Sequence, residues 1–188
     1  MALPVAHSMV GLALGIWRFL PTCSDLKDAS RIAWQKRVEL LICIIIANAP
    51  DIDLAFGMLA GKINLFHHLV THTIGWAVVT AISLWLYLKF AVRKPPAFAL
   101  WFVFLLMASH LVIDIFTADT KKPIGIMLAW PFSDSYWHAV YSIFPAPAKK
   151  TLAEVPSLHN LKNAGLEFLV CLPLVLLALV SRVKKTGK

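Results

Sequence analysis

Five apolar stretches, each long enough to cross a lipid bilayer, constrain this chain more than any other feature of its sequence. They fall at roughly residues 3–20, 38–60, 72–90, 97–118 and 164–182. A hydrocarbon core about 30 Å thick is spanned by about 20 residues of helix. In lipid a helix also satisfies its own backbone N–H and C=O groups. The chain is 59% hydrophobic and only 15% charged over 188 residues, with a mean hydropathy of +0.73. An ordinary soluble domain is excluded on that composition. The expected fold is all-α: a polytopic membrane helical bundle of about five transmembrane helices, with residues 1–188 forming a single membrane-embedded domain. Pro4 opens the first helix and Pro21 closes it. No positive residue precedes this apolar run, so it reads as a retained helix and not as a cleaved signal. Gly11 and Gly15 form a GxxxG, a mark of close helix packing. Cys23, Cys43 and Cys171 have no metal-type spacing, and no disulfide framework is expected.

Lys and Arg set the sidedness. Twelve lie at the end of span one (Arg18) or just after it, between spans three and four, or in the tail, and six lie in the other connections. The positive-inside rule therefore places the N-terminus outside and the C-terminus in the cytoplasm. Residues 119–163 become an external or re-entrant interfacial segment, rich in Trp, Tyr and Pro. In its "WPFSD", Trp130 and Phe132 are candidates for a rim in the interface. Residues 183–188 become a basic cytoplasmic tail suited to anionic lipid. No glycine-rich phosphate loop appears, and no nucleic-acid partner is expected; the expected partner is membrane lipid.

Against this frame the polar residues of the spans stand out. His7, Asp51, Asp53, His67, His68, His72, His110 and Asp114 all fall towards the external side. His110 and Asp114 are i, i+4 and share a helix face. Asp51 and Asp53 cannot share one in a regular helix, about 200° apart at 3.6 residues per turn. Pro50 disturbs the helix there, and a bend turns both carboxylates inward. His68 and His72 are an i, i+4 pair, whereas His67 needs the preceding turn to bring it round. Either His67 or His68 is the expected ligand.

A carboxylate at mid-bilayer costs about 2.5–3.5 kcal/mol on insertion scales. Three of them without a basic partner in their spans repel one another. A divalent cation removes that repulsion, and imidazole with carboxylate suits Zn²⁺, and also Mn²⁺ or Fe²⁺. The candidate ligand set is His7, Asp51, Asp53, His67, His72, His110 and Asp114. Seven ligands exceed the three that one catalytic zinc usually takes from the protein, so two ions are expected, as in two-metal hydrolytic sites.

The segments "AHSMVG", "APDID", "HHLVTHT", "SHLVIDIFT" and "WPFSD" occur in an order that resembles the YdjM-like family of bacterial and archaeal inner-membrane proteins. That family is generally described as metal-dependent hydrolases. It is distantly similar to the zinc-dependent phospholipase C and nuclease group. The resemblance runs from His7 to about Asp134. It implies a first histidine at His7, an Asp-x-Asp at Asp51 and Asp53, a His-x-x-x-Thr-His pattern at His67, Thr71 and His72, and a His-x-x-x-Asp-x-x-Thr at His110, Asp114 and Thr117. His68 stands where the family usually has Arg.

The functional expectation is a membrane-bound hydrolase cleaving a lipid or lipid-linked phosphate ester at an external metal site. Asp51 or Asp53 is the expected catalytic base. Asn48, His68, Thr71 and Thr117 are the expected orienting or substrate-binding groups. Lys121 and Lys122 are placed to meet an anionic headgroup or, as a plain basic pair, water. Two rivals stand beside this reading. One is a divalent-metal or proton transporter, disfavoured because the inner halves of the spans offer only Thr80 and Ser83. The other is a non-enzymatic membrane protein with a structural metal site.

Overall fold

The computed structural model of the chain describes residues 2–61, 65, 67, 69–91, 99–120, 122–149 and 151–184. Seven α-helices appear among them: α1 (Pro4–Phe19), α2 (Leu26–Gln35), α3 (Arg37–Asn48), α4 (Ile52–Leu59), α5 (Ile74–Phe90), α6 (Leu100–Ile115) and α7 (Leu158–Val180). No strand forms among the described residues, and pairing is confined to three isolated bridges. Two helical stretches are long and apolar enough to cross a membrane, Arg37–Leu59 and Leu158–Val180, and two shorter apolar ones lie at Ile74–Tyr87 and Leu100–Ile115.

α1 is the hub of the bundle, packed against α3, α7 and α6, while α5 lies against α6. The small residues of α1 explain how closely it approaches α3. A Cβ on Gly11 would stand 2.8 Å from Ala47 Cβ and 2.9 Å from the Cys43 carbonyl. Below these glycines the core is filled by Cys43, Ile46, Ala77, Ala81, Phe102, Val103, Leu106 and Met107. The far ends of α1 and α7 lie side by side, since Cys23 N–H donates to Arg182 O and Lys184 N–H to Cys23 O at 2.6 and 2.9 Å.

The connection after α1 folds into α2, where Asp25 accepts from Asp28 N–H at 2.8 Å and caps the helix. Two expectations change. The last helix begins at Leu158, six residues earlier than its apolar run, because Ser157 caps it and polar residues occupy one face of its first turns. His72 precedes α5 and does not open it. Thr73 accepts from Trp76 N–H and so starts the helix one residue later, leaving Val70–His72 as a 3-10 turn.

Candidate metal centre

Four separate pieces of chain deliver the polar residues to one buried place. Pro4 opens α1 and leaves His7 in its first turn, fully buried. Pro50 breaks the helix into a 3-10 turn, Ala49–Asp51, between α3 and α4. That turn directs Asp51 and Asp53 to the same side, as the bend at Pro50 predicts. The Val70–His72 turn supplies His72, and the chain before it supplies His67. α6 supplies His110 and Asp114 from one face, 0% and 3% exposed. All seven candidate ligands therefore converge. His68, the alternative to His67, lies outside the described residues.

At the centre are His72, His110, Asp51 and Asp114. His72 Nε2 is 3.3 Å from Asp51 Oδ1, 3.3 Å from Asp114 Oδ2 and 3.3 Å from His110 Nε2. His110 Nε2 is 3.4 Å from Asp51 Oδ1 and 3.2 Å from Asp114 Oδ2. Tetrahedral bonds of about 2.0–2.1 Å, the length zinc forms with imidazole and carboxylate, place ligand atoms about 3.3–3.4 Å apart. The five separations fit that figure.

The outward-facing nitrogens explain why these lone pairs point inward. His110 Nδ1 is 2.8 Å from the Ala47 carbonyl, which can only accept, so Nδ1 carries the proton. His72 Nδ1 lies 3.2 Å from Asp53 Oδ2. The same oxygen accepts from Thr71 Oγ1 at 2.7 Å. Asp53 Oδ1 meets His67 Nδ1 at 3.1 Å. Asp53 thus contacts two histidines and a threonine. On the other flank, Asp114 Oδ1 faces His7 Nε2 at 3.5 Å and accepts from Ala2 N–H at 3.2 Å. His7 also stacks on His110, ring centroids 3.7 Å apart.

Among the described residues, both Asp51 oxygens, Asp114 Oδ2 and both ring nitrogens of His7 are buried without a hydrogen-bond partner. Native proteins rarely leave such groups bare. A divalent cation fits this set of acceptors. Three overlapping groups could hold one, namely His7, His110 and Asp114; Asp51, His72 and His110; and Asp53, His67 and His72. In each, the ligand atoms lie within 4.8 Å of one another. Of the central four, Asp51 alone reaches solvent, its side chain 10% exposed against 0% for the others. Outside the centre, burial pushes His67 down to about 4, opposed by its contact with Asp53. At neutral pH it is uncharged, as a metal ligand must be.

Two of the expected orienting residues do other work. Thr117, just past the end of α6, donates its hydroxyl to the Ile113 carbonyl at 2.9 Å and so helps close the helix. Asn48 donates to Ser8 Oγ and to the Ile44 carbonyl, tying α3 to α1. Of the three, Thr71 has a side chain hydrogen-bonded to candidate ligands, Asp53 and His72. Sequence reasoning missed Glu167, which is fully buried in α7. It accepts from Leu3 and Ala6 N–H at 2.6 and 2.9 Å, capping α1 just before His7.

The family described as YdjM inner membrane protein matches residues 1–187, and the chain belongs to that family. No curated protein and no solved structure matches it. Family and apolar helices together make this a membrane protein.

Proposed function

Starting from membership of that inner-membrane family, we propose that the protein is a metal-dependent hydrolase of a lipid or lipid-linked phosphate ester. The observation that carries the reading is the central cage, in which the Nε2 atoms of His72 and His110 and two carboxylates meet at zinc-like separations. We assign His72, His110, Asp51 and Asp114 as ligands of Zn²⁺. His7 and Asp114 Oδ1 begin a second position, with Asp114 as the bridge. A cation held there supplies a Lewis acid for a phosphoryl oxygen and lowers the pKa of a water towards 7.

The chain's own groups do the rest. Asp51 is the least enclosed of the four, its side chain 10% exposed, and its Oδ2 has no hydrogen bond. It is therefore the residue to take the proton from the attacking water. Asp53, with its oxygens already engaged, orients His72 and His67 instead. The buried faces of α1 and α6 keep bulk water from the other ligands.

In this proposal five spans cross the membrane, formed by α1, α3 with α4, α5, α6 and α7. The N-terminus is outside and the basic tail is cytoplasmic. The adjacency of residues 23 and 182–184 supports parallel courses for α1 and α7. The ligands lie at the opposite end of α1, where the charge pattern puts the outer leaflet. Purified protein is expected to release phosphate or headgroup from lipid phosphates only with metal, and Asp114→Asn and His110→Ala to lose this while remaining folded. Equal turnover in both variants would contradict the assignment.

A further inference from the structure

With the central position alone filled, three aspartates and one divalent cation leave a net charge of −1, which repels an anionic substrate. A compensating cation is built in from an unexpected direction. The chain after α6 returns to it: Phe144 N–H donates to Phe116 O at 3.2 Å, and Ala118 N–H to Phe144 O at 2.8 Å. These anchors lie within four residues of Asp114. A few residues on, α7 grips the same segment. Asn160 accepts from Ala148 N–H at 2.8 Å and donates to Ala148 O at 2.7 Å. Asn163 donates to Ala146 O at 3.1 Å. Both asparagines are buried, 5% and 6% exposed. Lys149 follows at once, half-buried.

We propose that Lys149, held by this double clamp beside the acidic centre, binds the anionic group of the substrate, in the chemical class of a phosphate. The inference rests on the metal-dependent reading above. Burial pulls the Lys149 ammonium below the ordinary lysine range, while the charges of Asp114, Asp51, Asp53 and Asp119 act to raise it. The same ammonium contributes to the depression of His67. It therefore lies within electrostatic reach of three cluster aspartates and His67. Lysine serves phosphate as a compact point charge with three donors. The hydrogen-bonded backbone just before it lowers the entropy lost on engaging one.

The test is calorimetric titration of the zinc-loaded full chain in detergent with inorganic phosphate as the probe. Lys149→Gln is expected to keep the zinc content and to bind phosphate about tenfold or more weakly. Lys149→Arg is expected to stay near wild type. Unchanged phosphate binding in Lys149→Gln overturns the proposal, as does stronger zinc binding with phosphate unaffected, which makes Lys149 only a counter-charge to the acids. A zinc-loaded wild type that ignores phosphate overturns it too. A wild type that takes up no zinc overturns the metal reading itself, which separates the two failures. If Lys149→Gln does not fold, acetylation of the wild type decides: phosphate must slow labelling of Lys149 in the zinc-loaded protein, and unslowed labelling overturns the proposal.

Discussion

Replacing Gly11 by alanine should loosen the metal centre without touching a ligand. The added Cβ would stand 2.8 Å from Ala47 Cβ. Comfortable carbon–carbon contact begins at about 3.5 Å, so α1 and α3 must part by about 0.7 Å. Neither obstacle is a side chain that can swing aside: Ala47 has one carbon, and Cys43 O is backbone, 2.9 Å away. Overpacking of this kind costs about 1–3 kcal/mol. The shift reaches the site because Ala47 O holds His110 Nδ1 at 2.8 Å and His7 lies one turn from Gly11. Gly15 provides the control. Its Cβ would meet Leu40 Cδ2 at 3.0 Å and the Cys43 side chain at 3.1–3.2 Å, and the leucine tip can yield. Thermal unfolding in detergent, with and without zinc, is the assay. Gly11→Ala should lower the midpoint more than Gly15→Ala and should lose more of the zinc-induced stabilisation. Equal effects, or a Gly11→Ala protein that responds to zinc as wild type does, would refute the reasoning.

Glu167→Ala leaves two buried N–H groups of the first turn of α1 without an acceptor, at about 1–3 kcal/mol each. It should destabilise more than Glu167→Gln, which keeps one acceptor; unfolding curves check the order. Asp53→Asn removes the carboxylate that orients His72, and zinc affinity should fall by about 10–100-fold, with Thr71→Val costing less; competition with a chelating dye measures both. His67 also gives a pH signature in the metal-free protein. Its folded pKa, about 4, lies below the ordinary 6.5. The unfolded chain therefore takes up the proton first. The stability from this group is present above about pH 6.5 and is lost as pH falls through about 4. His67→Gln should lose less stability than wild type between pH 7 and pH 4.5, and identical slopes would contradict this.

Much of the site was legible because its chemistry is conspicuous in apolar surroundings. His110 and Asp114 are i, i+4 inside a helix otherwise fit for lipid, and Pro50 announces the bend that brings in Asp51 and Asp53. The GxxxG of α1 likewise foretold the contact with α3. What escaped was set by tertiary placement. That Asp53 stands between His67, Thr71 and His72, where it can hold a cation with the two histidines or orient them, follows only from the folded turn before α5. Glu167 lies in the last apolar helix, and its role depends on the N-terminus of α1, more than 160 residues away in sequence. Lys149 sits in a segment without helical periodicity, where two asparagines of α7 fix the chain and no local pattern announces it. The early start of α7 was hidden because hydropathy marks lipid-facing residues, whereas His159, Asn160 and Asn163 face the loop.

Metal analysis combined with X-ray absorption at the zinc edge, on protein purified from membranes, tests the central claim most directly. The account predicts at least one zinc per chain, bound through nitrogen and oxygen at about 2.0–2.1 Å, with imidazole among the scatterers. That signal should disappear in the folded His110→Ala, Asp114→Asn double variant. A wild type that neither retains nor takes up zinc, manganese or iron, or a double variant that binds as wild type does, would contradict it.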